Sequence, residues 1–196
     1  MADEIDTAQI PPHIMAAMRE RMKMAQRMSR IKHKIVVMSG KGGVGKSTVA
    51  ANLAVALASE GPVGLVDADV TGPDIPLLMG VEDAPVNATE TGMEPTVGPA
   101  GVKIISMGQL IERESPVVWR GPLKIKALKQ MLSDVEWGDL EYLVLDLPPG
   151  TSDEPLSVAQ EIPDADGAVV VATPQEVALL DVRKSIGFAR AVNLRI

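Results

Sequence analysis

A chain of 196 residues with 46% hydrophobic content has room for one domain around a sizeable core. Aromatics are only 2% and cysteine is absent, so the core must be aliphatic and Met-rich, and this chain can build neither a disulfide nor a thiolate metal site. The formal net charge of −7 argues against stable nucleic-acid binding by the body, and no apolar run approaches the roughly 18 residues of a membrane span. The polar, acidic start lacks a secretory signal pattern, so the expected setting is the cytoplasm.

In chain order, residues 1–10 are polar and are expected to fray. Pro11-Pro12 can open a helix, and His13 to Ile31 is helical in pattern, with Ile14, Met18, Met22 and Ala25 on one face. Arg19, Arg21, Lys23, Arg27 and Arg30 lie mostly elsewhere. Residues 1–34 hold seven Lys/Arg against four Asp/Glu, and the remainder 12 against 22. A basic amphipathic helix can bind an anionic membrane or a partner. The commoner fate is to pack the Met face on its own domain, and that is the reading favoured here. Residues 1–32 are accordingly an N-terminal extension, and 33–196 the main domain.

Ile35-Val36-Val37-Met38 reads as a buried strand. After it comes Gly40-Lys41-Gly42-Gly43-Val44-Gly45-Lys46-Ser47-Thr48, which fits G-x-x-x-x-G-K-[ST], the phosphate-binding P-loop. A helix follows, with Val49, Leu53, Ala56 and Leu57 on one face. Glycines let the backbone approach a phosphate closely. Successive N–H groups and the helix N-terminus then form an anion cradle. Lys46 is placed to reach the β- and γ-phosphates of ATP, and Ser47 to ligate Mg²⁺. Lys41 is not demanded by the general motif. It either adds local positive charge or reaches a partner's phosphates, and the residues alone leave both open.

Gly61-Pro62 ends the helix. Val63–Val66 is a second strand, running into Asp67-Ala68-Asp69. Residues 81–101 read as a loop or loose hairpin, and residues 102–106 as a third strand. Pro122 to Leu132 is helical, with Ile125, Leu128 and Leu132 inward. Residues 142–146 and 168–172 form two further strands, and Glu176 to Val192 a final helix. Continuous apolar strands separated by helices predict an α/β fold with a mostly parallel sheet covered on both faces. Its ligand should sit at the C-terminal strand ends. Asn193 to Ile196 reads as a lead into another strand, so further C-terminal strands are expected.

Carboxylates at strand ends should gather near the P-loop. Asp69 is the candidate for positioning the attacking water, and Asp67 for a supporting or Mg-proximal role. Asp146 closes an apolar strand as a Walker B carboxylate does, contacting Mg²⁺ through water. The Pro148-Pro149-Gly150-Thr151 loop that follows can report on the γ-phosphate. Thr173-Pro174-Gln175-Glu176 and the segment around Arg120 are less informative; for Arg120 an exposed salt bridge is the commoner fate.

GKGGVGKST resembles the deviant P-loop of the MinD/ParA/Mrp class of ATPases. The resemblance implies that Lys41 acts in trans across a nucleotide-sandwich homodimer. VDADVTGPDIP at 66–76, PVVWRGP at 116–122, YLVLDLPPGTSDEPLSVAQ at 142–160 and TPQEVALLDVRKSI at 173–186 narrow the likeness to the Mrp/ApbC group. The implied fold is that of a P-loop NTPase. The implied function is a slow, dimer-coupled Mg-dependent ATPase that carries or scaffolds iron–sulfur clusters for recipient apoproteins. In the group, a Cys-x-x-Cys pair holds the cluster between two subunits; here it would have to lie outside this chain. Thr71 and Asp74 depart from the group pattern, as does the short turn at Gly61-Pro62. The alternative is a MinD/ParA-type switch that dimerises with ATP to position itself on membrane or DNA. A nitrogenase-reductase-like donor is set aside, because its cluster cysteines should fall within this stretch.

Overall fold

The computed structural model describes residues 11–70, 72–110, 121–150 and 153–196. Five strands form the parallel part of the sheet: β1 (Ile31–Ser39), β2 (Val63–Asp67), β6 (Lys103–Ser106), β7 (Leu140–Asp146) and β8 (Gly167–Val171). A short antiparallel strand, β5 (Thr96–Val97), extends one edge, giving the order β5-β6-β2-β7-β1-β8. A two-stranded hairpin, β3 (Asn87–Ala88) and β4 (Met93–Glu94), stands apart. The helices are α1 (Pro12–Met28), α2 (Lys46–Leu57), α3 (Ile75–Leu78), α4 (Met107–Leu110), α5 (Gly121–Ser133), α6 (Asp153–Gln160) and α7 (Glu176–Ala191).

Successive residues of a strand face opposite sides, and here both sides are covered. Val36, Met38, Val66, Ile105, Leu143 and Leu145 join one core with Leu128, Met131 and Leu132 of α5. Val37, Leu65, Ile104 and Val144 join the other, with Ala50, Ala51 and Ala54 of α2. That two-sided burial is why the strands read as unbroken apolar runs instead of alternating ones. Trp137 fills the first core, fully buried, and its indole N–H donates to the Met131 carbonyl at 3.1 Å.

Several expectations are corrected. β1 starts at Ile31, four residues early, because Lys32, His33 and Lys34 masked its beginning. The inward face of α2 is its alanine stripe, with Leu53 and Leu57 only half-buried and Val49 exposed. Small side chains let that helix lie close to the sheet. On α1 the expected packing face is turned outward: Ile14, Met18 and Met22 are exposed, while Met24 and Met28 pack inward. In that rotation Lys23 pairs with Asp134 at 2.7 Å and Arg27 donates to the Thr91 carbonyl at 3.3 Å. Residues 193–196 form no strand, although the Ala168 N–H donates to the Arg195 carbonyl at 2.6 Å beside β8.

Candidate nucleotide site

The P-loop links β1 to α2. At its start the Ser39 hydroxyl donates to the Lys41 carbonyl at 2.9 Å. Gly43 and Gly45 hold φ of 76° and 87°, a left-handed conformation that side chains disfavour. Gly45 is the N-cap of α2 and supplies no side-chain cap. The first-turn N–H groups of the helix therefore remain open to an anion.

Four adjacent strands end in buried polar residues: Ser106 on β6, Asp67 on β2, Asp146 on β7 and Ser39 on β1. Register sets Asp67 beside both Ser106 and Asp146. The Lys46 ammonium lies 2.6 Å from Asp146 Oδ1, and the pair is almost wholly buried. Lys46 Nζ also donates to Ser47 Oγ at 3.3 Å. Burial pushes the Asp146 carboxyl above its ordinary range, with Lys46 pulling the other way. Asp146 Oδ2 is a buried side-chain oxygen without a hydrogen-bond partner.

Asp67 is differently placed. Its Oδ1 accepts the Asp69 N–H at 3.1 Å; its Oδ2 accepts the Ser106 hydroxyl at 2.9 Å and the Ile75 N–H at 3.4 Å. Desolvation, reinforced by repulsion from Asp146, raises its pKa to about 7. With both oxygens engaged, it anchors the turn that carries Asp69 into α3. Asp69 is nearly buried, and its Oδ1 accepts the Gly72 N–H at 3.3 Å.

Lys46, Ser47 and Asp69 face a cleft of about 500 Å³ lined also by Gly42, Gly43, Gly45, Thr48, Asp74 and Pro149, with Leu77 and Leu78 at its rim; Asp67, Ser106 and Asp146 are buried behind it. The Gly150 N–H donates to the Ser39 carbonyl at 2.9 Å, tying the loop after β7 to the start of the P-loop. Lys41 is exposed and makes no ion pair among the described residues. Gly40 packs against α7, and Val44 is half-buried. Thr71, Arg120, Thr151 and most of the 116–122 block lie outside the described residues. Among the described residues, no three His, Cys, Asp or Glu side chains form a ready metal chelate. An Mg²⁺ ion here would need phosphate and water oxygens, as is usual for that ion beside nucleotides. Sequence reasoning gave Ser39 and Ser106 no role. The available signal was that each ends an apolar strand, as Asp67 and Asp146 do.

A family model described as ParA, NUBPL iron-transfer P-loop NTPase, matches residues 30–196. The chain belongs to this iron-transfer P-loop NTPase family. Curated relatives named iron–sulfur cluster carrier protein are 53% identical over 176 residues in Methanocaldococcus jannaschii and 51% over 177 residues in Saccharolobus solfataricus. Each match covers 89% of this chain, which spans 61% and 60% of those relatives' lengths. Among solved structures, a nucleotide-binding protein from Archaeoglobus fulgidus in complex with ADP aligns with a TM-score of 0.78 and 41% identity, over 89% of this chain and 68% of that one. The septum site-determining protein MinD of Pyrococcus horikoshii, complexed with Mg-ADP, aligns at 0.58 and 28%, over 84% and 68%.

Proposed function

We propose that this chain is the ATPase part of an iron–sulfur cluster carrier that hydrolyses MgATP slowly, as a homodimer, and passes clusters to recipient apoproteins. The observation that carries the reading is the buried Lys46–Asp146 pair beneath two left-handed glycines, in a chain about half identical to proteins named cluster carriers. Mg²⁺ fits beside Ser47 and the unpartnered Asp146 Oδ2. When bound, it neutralises charge on the β- and γ-phosphate oxygens. Lys46 exchanges Asp146 for those oxygens, and the backbone from Gly40 to Thr48 wraps the phosphates. Asp69 orients the attacking water from the cleft wall, while Asp67 and Ser106 hold the turn that presents it. Lys41 projects toward the phosphates of the second subunit.

The cluster is cargo. Clusters need thiolate ligands, and the 196 residues contain none, so the protein holds a cluster only if a Cys-x-x-Cys pair lies outside this sequence. The test uses the full-length protein. Asp69→Ala should bind ATP normally yet hydrolyse it about 10²–10⁴-fold more slowly, measured by titration calorimetry and phosphate release. Reconstituted protein should pass its cluster to an apo-ferredoxin, followed by visible absorption. Equal turnover by the variant would give the water to another group, and failure to bind or pass a cluster would remove the carrier reading.

A further inference from the structure

We propose that the N-terminal half of α1 is a docking element that lays this protein reversibly on an anionic lipid surface. The inference rests on α1 itself and is independent of the carrier reading. Among the described residues, the contacts that fasten the helix to the domain lie in its C-terminal half: Met24, Met28, the Lys23–Asp134 pair and the Arg27 contact. A groove of about 730 Å³, bordered on α1 by Ala17, Glu20, Arg21, Met24 and Ala25, runs between this helix and α5. Ile14, Met18 and Met22 are 43%, 50% and 67% exposed. At 3.6 residues per turn these three share one arc of roughly 80°. Arg21 flanks that arc on one side and Arg19 on the other. Both arginines are exposed and make no ion pair among the described residues. Glu20, the one acidic residue of the helix, falls on the opposite face.

Apolar side chains bordered by cations on both flanks match the boundary between acyl chains and anionic headgroups. Methionine suits such a boundary because it is flexible and adapts to an irregular apolar environment. A second copy of the chain would bring Arg19 and Arg21 against their own kind. The body of the protein, with 12 Lys/Arg against 22 Asp/Glu beyond residue 34, is repelled by the same surface. Contact is therefore confined to α1 and is weak enough to be reversible. No helix among the described residues is long and apolar enough to cross a membrane, so α1 lies on the surface.

Vesicle flotation of the full-length protein tests this. Protein should float with phosphatidylglycerol–phosphatidylcholine vesicles, stay behind with pure phosphatidylcholine, and be released by high salt. Arg19→Gln with Arg21→Gln should lower the affinity about thirty-fold, and Met18→Glu should abolish flotation. Thermal unfolding and nucleotide binding should match the parent, because none of these side chains packs on the core. Absence of flotation, or variants that float like the parent, would overturn the proposal. So would self-association that Met18→Glu removes without any vesicle binding, which would assign the stripe to a second copy.

Discussion

At the scale of single residues, burial does more than pairing to set the chemistry of the site. Asp67 carries three hydrogen bonds, yet its pKa stands at about 7 against an ordinary 3.8, because desolvation and Asp146 outweigh those bonds. Between those values the folded state holds a proton that the unfolded chain has lost. The contribution of Asp67 to stability is thus fully present below about pH 4 and lost as the pH rises through about 7. Asp67→Asn cannot ionise, so its stability relative to the parent should climb across that window, by at most about 4 kcal/mol. Denaturant unfolding without Mg²⁺ or nucleotide, from acid to neutral pH, measures this; a difference that does not vary with pH would place the titration elsewhere. Lys46 and Asp146 make the complementary point. Removing either one leaves a buried partner uncompensated, at about 3–5 kcal/mol, so variants at these positions must be checked for folding before their affinity is interpreted.

Between elements, α7 packs directly against the start of the P-loop at Gly40. A Cβ placed on Gly40 would lie 2.6 Å from the Asp181 Cβ and 2.8 Å from its backbone carbon and oxygen. Backbone cannot swing aside as a side-chain tip can, so Gly40→Ala must push α7 off β1 or displace the start of the P-loop. The expected cost is about 1–3 kcal/mol, together with weaker ATP binding. Gly42 is the control: its nearest neighbour is Pro149 Cγ at 4.0 Å. Gly42→Ala should change stability by no more than about 0.5 kcal/mol. Thermal unfolding of the two variants compares them directly, and equal losses would show that the Asp181 contact is soft. The hairpin is a second tie between elements: the Met93 N–H donates to the Asp134 carbonyl and the Glu136 N–H to the Met93 carbonyl, at 2.9 and 2.8 Å. Asp134 also receives Lys23, so one residue fastens both the hairpin and α1 to the end of α5.

For the whole molecule, the proposed dimer gives Lys41 its role. The residue sits on the P-loop, exposed and without an ion pair among the described residues, whereas Lys46 on the same loop is buried on Asp146. Two lysines so close in sequence, one turned in and one turned out, suit one set of phosphates in cis and another in trans. In the full-length protein, Lys41→Ala should leave ATP affinity within about threefold while turnover falls by about 10³-fold or more, the scale of a trans-acting arginine finger. Turnover of the parent should rise with protein concentration and that of the variant should not. A variant whose turnover matches the parent at every concentration would confine Lys41 to local charge.

The fold class and the P-loop were legible in the sequence. The P-loop, the apolar strands and the aspartates that close two of them are local patterns, and a continuous apolar run between helices implies a sheet covered on both faces. What the sequence did not determine was rotation and neighbourhood. The inward face of α2 is its alanines because helix and sheet approach closely, and α1 turns Met18 and Met22 outward while Met24 and Met28 pack inward, with Lys23 and Arg27 meeting partners 111 and 64 residues away. The row Ser106, Asp67, Asp146 and Ser39 exists only once the sheet order β6-β2-β7-β1 is known. Each of these was decided by packing between segments distant in the chain, a cross-strand or cross-helix energy that the local spacing of residues does not encode.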